Sequence, residues 1–372
     1  MKSMLVITTV ARTHTAFLTP YAEVARSQGW VVDAAASSFE EAGDLDEVYN
    51  DVHSIPWDRT GKSVIKYIKA LYLLRSIVIR NKYSIVHTHT PIASFLSRLA
   101  IATIPKRKRP IVIYTAHGFH FHQYGKKANN TVFFAVEKLL SRFTDYIITM
   151  NQDDFAAARK FNYIPEDRVI NMPGIGISLD QYNAKSRNIP DSTRLPFKFV
   201  VVAEFIPRKR QIIILKAAKI CANAGLNFTI SFIGDGPLLK EMEAYADLEK
   251  LSSFCLFVGF KQNVAEELSN SNALILASNQ EGMPRCVLEA MASGVPVIGS
   301  AIRGTRDLLT DGAGLLFEVD NPGDLAEKMI QLMHDADLAS IISVKALEKI
   351  QDYSLNNTIK YYLQLLSIAS QR

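Results

Sequence analysis

Cysteine is scarce in this 372-residue chain, which has only three. Cys221, Cys255 and Cys286 are far apart, and the segments around them are typical of a helix, a strand and a helix respectively. Three scattered thiols exclude a disulfide framework of the kind that stabilises small secreted domains. We therefore predict buried thiols in a reducing compartment.

Long hydrophobic runs are also absent. No apolar stretch reaches the roughly 18 residues that a membrane-spanning helix requires. The first three residues lead directly into a predicted strand, without the apolar region or cleavage site of a signal peptide, so we expect a cytoplasmic protein. With 48% apolar and 21% charged residues, the composition is that of an ordinary globular chain, and the length suits two domains.

Acidic residues are missing from one long segment. Between Arg59 and Val136 the chain has 14 basic residues and no Asp or Glu. A basic surface favours an anionic partner, and lipid head groups at the inner face of the plasma membrane are the first candidate. The alternative is a solvated helix face beside an ordinary basic loop, while nucleic acid is disfavoured because no aromatic platform or known binding module is present. The residues singled out for this membrane or acceptor side are Lys62, Lys66, Lys69, Arg107, Lys108 and Arg109.

Predicted strands and helices alternate along the chain, which is typical of α/β domains with parallel sheets. One strand series comprises residues 4–10, 31–35, 85–87, 111–115 and 146–150. A second comprises residues 197–203, 228–233, 255–258, 273–277, 295–298 and 314–317, and the segment 188–195 between the two series has the composition of a linker. We predict a Rossmann-like N-terminal domain over residues 1–187 and a Rossmann-like C-terminal domain over 196–353.

The most informative segment is EGMPRCVLEAMASGVPVIGS, which begins at Glu281. It follows an apolar run that predicts a buried strand, and Pro284 suits the first turn of a helix. At the mouth of a parallel sheet, the backbone N–H groups of Gly282 and Met283 would form a positive pocket for phosphate. Because carboxylates would repel that anion, we predict that Glu281 binds hydroxyls of a sugar ring and that Glu289 binds a ribose diol. The alternative interpretation is two solvated helix glutamates.

This segment resembles the donor-site signature of the family 4 retaining glycosyltransferases of the GT-B fold, and the resemblance covers nearly the whole chain. The N-terminal segments TTVARTHTAFLTPYAEVARSQGW, IVHTHTP and YTAHGFHFH resemble the branch that builds bacterial capsule and exopolysaccharide. The resemblance implies two Rossmann-like domains whose parallel sheets face a central cleft, with a last helix, within 354–372, that returns to the first domain. It also implies that Glu281 faces the donor sugar and that Glu289 binds the nucleotide ribose.

A second group of candidates follows the first strand of the C-terminal domain. Arg208, Lys209 and Arg210 stand at the start of a predicted helix, where each cation opposes the helix dipole by roughly 0.3–1 kcal/mol unless an anion lies among them. The resemblance makes Arg208 and Lys209 ligands of the donor diphosphate. Relatives commonly carry Arg where this chain has Glu204, and Arg208 or Arg210 could substitute for that missing cation. An ordinary basic surface is the alternative.

Two further turns follow predicted strands in the same domain. Gly234-Asp235-Gly236 lacks the third glycine of the dinucleotide fingerprint, since Leu239 stands there. The resemblance implies that this turn and the turn at Phe260 wrap the nucleotide base through backbone atoms, so Gly234 and Phe260 are assigned to donor binding. Plain turn chemistry is the alternative.

The N-terminal domain contributes histidines and one threonine. Five histidines form a cluster in the sequence: His87, His89, His117, His120 and His122. Their spacing matches no zinc module and no acidic residue lies nearby in sequence, so we predict no metal there. The resemblance places His117 against the donor sugar, through its backbone carbonyl or its imidazole, and a structural histidine is the alternative. Thr13, where many relatives have a glycine pair, would contact the diphosphate. The sequence Asp44-Leu45-Asp46 spells the metal-binding D-x-D motif of another glycosyltransferase fold, but it lies far along the chain from the other candidates.

The resemblance, together with these residues, implies a retaining glycosyltransferase that needs no metal or other cofactor. It would move a hexose or N-acetylhexosamine from a nucleotide diphosphate, for which a UDP-sugar is expected, to a polyprenyl-diphosphate-linked saccharide in capsule, exopolysaccharide or O-antigen synthesis. No carboxylate is placed as a nucleophile, so the front-face reaction that the resemblance implies fits better than a two-carboxylate scheme. The alternatives are an isomerase of the same fold that acts on a UDP-amino sugar, and a sugar-binding protein without turnover.

Overall fold

The computed structural model describes residues 2–41, 43, 45–57, 63–182 and 196–370. These residues form two compact units, one of residues 1–175 with 356–372 and one of residues 176–355. The predicted linker at 188–195, Lys62 and Asp44 lie outside the described residues.

The first unit contains a seven-stranded parallel sheet with the strand order β3-β2-β1-β4-β5-β6-β7. Its central strands are buried along nearly their whole length, as expected for a parallel sheet covered on both faces. The strands are β1 Ser3–Val10, β2 Val31–Ser37, β3 Val52–Ser54, β4 Ile85–His89, β5 Ile111–Ala116, β6 Tyr146–Thr149 and β7 Val169–Asn171. The helices that connect them are α1 Thr19–Ser27, α2 Val64–Asn81, α3 Pro91–Ala102, α4 Lys127–Leu140 and α5 Gln152–Ala158.

The second unit contains a six-stranded parallel sheet with the order β10-β9-β8-β11-β12-β13. Its strands are β8 Phe197–Val202, β9 Phe228–Ile233, β10 Cys255–Gly259, β11 Ala273–Leu276, β12 Val297–Ser300 and β13 Leu315–Phe317. Its helices are α6 Gln211–Asn223, α7 Leu239–Leu248, α8 Val264–Ser269, α9 Arg285–Ala292, α10 Thr305–Leu309, α11 Pro322–His334 and α12 Ala336–Lys349.

The last helix, α13 Leu355–Ser370, lies almost entirely in the first unit. The Tyr21 hydroxyl donates to Thr358 Oγ1 at 2.8 Å, and the Tyr362 hydroxyl donates to Met4 Sδ at 3.5 Å. Leu365 and Leu366 are buried as well. The helix therefore forms part of the first unit's core although it follows the second unit in sequence.

Both sheets have a topological switch point, the place where the strand order reverses. In the second unit it lies between β8 and β11, because β9 and β10 extend to one side and β12 and β13 to the other. In the first unit it lies between β1 and β4. Ligands of open parallel sheets bind in the crevice at the carboxyl ends of the strands that flank such a point.

The predicted fold class, parallel α/β sheets surrounded by helices, is confirmed. The six strands predicted for the second sheet are all present, whereas the short edge strands β3 and β7 of the first sheet were not predicted. Cys221, Cys255 and Cys286 lie in α6, β10 and α9, and all three are free and buried. Among the described residues, no helix combines the length and the apolar character that crossing a bilayer requires.

Candidate functional site

The loops that follow β8 and β11 lie side by side at the switch point of the second sheet. The backbone N–H of Asn279 donates to the carbonyl oxygen of Arg208 at 2.9 Å, which joins the two loops directly. Arg208 and Lys209 form a short 3-10 turn just before α6, while Glu281 lies just before α9. The fold thus brings Glu281 to Arg208 and Lys209, two predicted site residues that lie more than 70 positions earlier in the sequence.

Glu281 forms ion pairs with both predicted diphosphate ligands. Its Oε1 accepts from Lys209 Nζ at 2.5 Å, and its Oε2 accepts from Arg208 Nη1 at 3.3 Å. The Glu281 and Lys209 side chains are 9% and 12% exposed, whereas that of Arg208 is 44% exposed. Burial alone would raise the pKa of Glu281, but the charges of Lys209 and Arg208 outweigh burial and lower this pKa below its ordinary value. Glu281 is therefore ionised at neutral pH, and the group of three carries a net positive charge.

The main chain at Glu281 is held by a residue that sequence analysis did not assign to the site. The buried Arg303 guanidinium donates through Nε to the carbonyl oxygen of Glu281 at 3.2 Å. Next to it, Gly304 has φ of +72°, and a Cβ there would lie 2.0 Å from the carbonyl oxygen of Gly282. Only glycine permits this approach. Gly304 is also the N-cap residue of α10, which begins at Thr305.

The predicted phosphate-binding amides precede α9. Pro284 is the N-cap residue rather than part of the first turn, and its carbonyl oxygen accepts from Val287 and Leu288. Gly282 and Met283 therefore lie immediately before the helix start, at its positive end. Their contact with phosphate remains a prediction.

Glu289, eight residues after Glu281, is also buried, at 8% exposure. Its Oε1 accepts from Arg285 Nε at 2.8 Å, one helical turn earlier. Tyr182 also lies beside it: burial first, and then the charge of Glu289, raise the pKa of the tyrosine hydroxyl. Because Glu281 and Glu289 are both buried, the alternative of two solvated glutamates is excluded.

The cation next to the site has a different partner. Arg210, which adopts a left-handed backbone conformation with φ of +55°, donates through Nε to Asp320 Oδ1 at 2.6 Å. It is therefore not part of the ion-pair group, and of the two substitutes considered for the missing arginine only Arg208 belongs to that group. The Glu204 residue is exposed, and its carbonyl oxygen accepts from Gln211 Nε2.

The turn at Gly234 packs tightly against the end of β8. Gly234 has φ of +143°, and a Cβ there would lie 2.1 Å from the carbonyl oxygen of Ala203. Its N–H donates to the carbonyl oxygen of Gly259 at 2.9 Å, which links the turns that follow β9 and β10. Phe260, directly after β10, is 65% exposed. The two predicted base-contacting turns are therefore neighbours, but contact with a base remains a prediction.

A chain of histidines lies at the switch point of the first sheet. His87 Nε2 and Thr115 Oγ1 are 2.8 Å apart, and His89 Nδ1 and His117 Nε2 are 3.1 Å apart. Burial lowers the pKa of His117 to about 4, and burial followed by the charge of His117 lowers that of His87 to about 3. Thr13 lies before the π-helical turn His14–Leu18, and its side chain is half-buried. At neutral pH His117 is thus an uncharged group that can offer hydrogen bonds but no positive charge.

These histidines predict a pH dependence of stability. An unfolded histidine has a pKa of about 6.5. Between pH 6.5 and 4 the unfolded chain therefore binds more protons than the native protein. As the pH is lowered through this range, each buried imidazole reduces the free energy of unfolding by about 1.4 kcal/mol per pH unit. We expect the thermal unfolding midpoint of the first unit to decrease when the pH is lowered from 7 to 5. His14, whose pKa burial lowers to about 4, provides the test: His14→Asn should flatten this dependence, and the same change at the exposed His334 should not. An unchanged slope in His14→Asn would contradict the prediction.

The predicted basic surface is present only in part. Lys66, Lys69, Arg107 and Lys108 are exposed. Arg109 donates to the carbonyl oxygens of Ala102 and Ile104 instead, and therefore closes the C-terminal end of α3. Within the described ranges, no three His, Cys, Asp or Glu side chains are grouped so that they could hold a metal ion.

Comparison with known proteins gives matches over most of the chain. Residues 3–151 match the family model described as glycosyl transferase 4-like, and residues 184–349 match that of glycosyl transferases group 1. The chain is 29% identical over 346 residues to the putative glycosyltransferase EpsD of Bacillus subtilis, covering 91% of this chain and 89% of EpsD. It is 26% identical over 311 residues to an Escherichia coli UDP-Gal:α-D-GlcNAc-diphosphoundecaprenol α-1,3-galactosyltransferase, covering 80% and 79% of the two chains.

Solved structures give the same fold. A glycosyltransferase from Rickettsia africae superposes with a TM-score of 0.77 at 17% identity, covering 100% of this chain and 99% of that one. Anabaena HepE in complex with UDP-glucose superposes with a TM-score of 0.77 at 17% identity, covering 99% and 100%. At such identities the likeness bears on the fold alone, and that fold is GT-B.

Proposed function

Since this chain is a glycosyltransferase with the GT-B fold, we propose that it transfers a hexose or N-acetylhexosamine from a UDP-sugar to a polyprenyl-diphosphate-linked saccharide, with retention of configuration. The product would serve capsule, exopolysaccharide or O-antigen synthesis at the inner face of the membrane. The observation that carries the proposal is the group of Arg208, Lys209 and Glu281 at the switch point of the second sheet.

The chemistry of this group suits a departing nucleoside diphosphate. When the bond between sugar and phosphate breaks, negative charge grows on the diphosphate and positive charge on the sugar. Lys209 and Arg208 would bind the diphosphate, aided by the amides of Gly282 and Met283 before α9. As the anion takes over these cations, the Glu281 carboxylate would be left to face the sugar and stabilise its positive charge. Glu289 would bind the ribose.

The acceptor assignment is supported by relatives. The E. coli relative acts on a diphosphoundecaprenol-linked sugar, and HepE was solved with UDP-glucose. Similarity to the putative glycosyltransferase EpsD along most of both chains supports sugar transfer itself. In the front-face reaction, a phosphate oxygen of the donor would accept the proton of the acceptor hydroxyl, so that no second carboxylate is needed.

A two-step experiment tests the proposal. Nucleotide sugars are first screened for thermal stabilisation of the protein, because a ligand that binds only the folded state raises the midpoint. The sugar that stabilises most is then offered with N-acetylglucosaminyl-diphosphoundecaprenol as acceptor, and the anomeric configuration of the product is determined by NMR. Inversion of the anomeric configuration would contradict the proposal. Turnover of the donor at the same rate without acceptor would also contradict it, and would favour an isomerase.

Transfer should also persist without divalent metal. Lys209 and Arg208 supply the positive charge that a metal ion supplies in other glycosyltransferases, so we expect less than a twofold loss of kcat in excess EDTA. A control enzyme that depends on Mn²⁺ should be inactivated under the same conditions. Loss of activity that Mn²⁺ restores would refute the metal-independent mechanism.

A further inference from the structure

An apolar groove of about 650 Å³ opens on the surface of the first unit between α2, α3 and α4. Its lining includes Val64, Ile68, Phe95, Val132 and Phe133. Three of these, Val64, Ile68 and Val132, are 60–68% exposed. Apolar surface gathered in this way on a soluble domain usually marks a binding site, and the volume is that of an ordinary small-molecule pocket.

The two helices at the sides of the groove bury few residues in the parts that line it. The first two turns of α2 have no buried residue before Ala70, and in α4 only Leu140 is buried. In the N-terminal half of α2, the apolar residues Val64, Tyr67 and Ile68 line the groove. This half of the helix therefore presents its apolar residues to the groove instead of the core.

Among the described residues, the lining of the groove carries no unpaired acidic side chain. Its three helices lie in, or begin in, the segment with 14 basic and no acidic residues. The acidic residue in the lining is Glu137, whose Oε2 accepts from the buried Arg98 at 2.9 Å. This ion pair neutralises Glu137, so the lining does not repel an anion while its walls accept hydrocarbon.

We infer that the groove binds the isoprenoid chain of the acceptor lipid. A polyprenyl diphosphate combines a hydrocarbon chain, which the apolar walls match, with an anionic head, which the neutral lining does not repel and the basic segment 59–136 favours. A bilayer surface is a weaker match, because the walls from three helices form a concavity suited to a single chain. The inference rests on the proposed function for the identity of the lipid, but it concerns residues remote in sequence from those that would bind the donor.

The test measures binding rather than transfer, with farnesyl diphosphate and inorganic diphosphate as probes. Saturating UDP is present throughout, so that neither probe reports on Arg208 and Lys209. Each buried methylene strengthens binding about fourfold, so the wild-type protein should bind farnesyl diphosphate at least about tenfold more tightly than inorganic diphosphate. The double variant Ile68→Ser, Phe133→Ser should lose this preference and keep its affinity for UDP.

The matched control is Leu248→Ser, Ile341→Ser, which removes two exposed apolar side chains from the second unit and should leave the preference intact. Equal binding of the two probes by wild-type protein would overturn the inference. A second measurement is co-sedimentation with anionic vesicles. The inference would also be overturned if the groove variants kept the preference for farnesyl diphosphate but, unlike the wild-type protein, no longer sedimented with the vesicles, since the groove would then contact the bilayer. Failure to glycosylate any lipid-linked acceptor would instead count against the proposed function, because the binding measurement needs no turnover.

Discussion

Replacing Glu281 with glutamine is expected to lower kcat by about 10²- to 10³-fold, the usual range when one fixed charge is removed from a developing transition state. Glutamine keeps the size of the side chain and can still accept a hydrogen bond from Lys209, but it cannot stabilise positive charge on the sugar. The same change removes the anion that competes with diphosphate for Lys209 and Arg208. Binding of UDP, measured by isothermal titration, should therefore be unchanged or tighter while turnover of the UDP-sugar collapses.

This opposite effect on binding and turnover separates two roles for Glu281. If the carboxylate merely held the cations in place, UDP affinity and kcat would fall together in Glu281→Gln. Glu204→Gln is the control, because Glu204 is exposed and precedes the same 3-10 turn. It should change both quantities by less than about twofold, as surface changes usually do. A Glu281→Gln enzyme with wild-type kcat would end the proposed mechanism.

The fold could be predicted from the sequence where strands are central. Strands β8, β11 and β12 are apolar runs bounded by turn residues, and burial on both faces gives them a signal that needs no tertiary knowledge. The strands β3 Val52–Ser54 and β7 Val169–Asn171 are three residues long and lie at the two edges of the first sheet. Three residues carry no periodicity, and each of these two strands also contains a polar residue, unlike the equally short but wholly apolar edge strand β13. They are therefore defined only by pairing with a neighbour.

The site could be predicted as a set of residues but not as a set of contacts. The sequence indicated Arg208, Lys209 and Glu281 separately, and it led us to regard the carboxylate as a source of repulsion for phosphate. Their ion pairing depends on the adjacency of β8 and β11, which no local pattern reports. Arg303 and Tyr182 were missed for the same reason, since each reaches the site from a distant segment.

The exposed side of α2 shows a different limit. An amphipathic pattern predicts a helix with one apolar side, but it does not say whether that side meets the core, a ligand or solvent. In α2 the buried residues begin only at Ala70, and the turn before them faces the groove. The distinction depends on which neighbouring helix covers the surface, and therefore on tertiary structure alone.

Lys209→Met should have the second large effect, a loss of UDP affinity of about 10- to 100-fold. A charged hydrogen bond contributes about 1.5–3 kcal/mol, and Lys209 is the better buried of the two cations that would bind the diphosphate. Methionine preserves the length and apolar contacts of the lysine stem. The remaining cation, Arg208, is largely exposed and cannot compensate fully, because solvent and salt weaken its field.

The neighbouring Arg210 gives this prediction a matched control. Arg210→Met removes the same charge one position later, but its guanidinium is bound to Asp320, so UDP affinity should change by less than about twofold. If only the general positive potential mattered, both variants would bind UDP more weakly by a similar factor, and increasing salt would abolish this weakening. If Lys209→Met bound UDP as tightly as wild type while Arg210→Met did not, the diphosphate would have to lie on the Asp320 side of the turn, and the proposed roles of Lys209 and Glu281 would both be wrong.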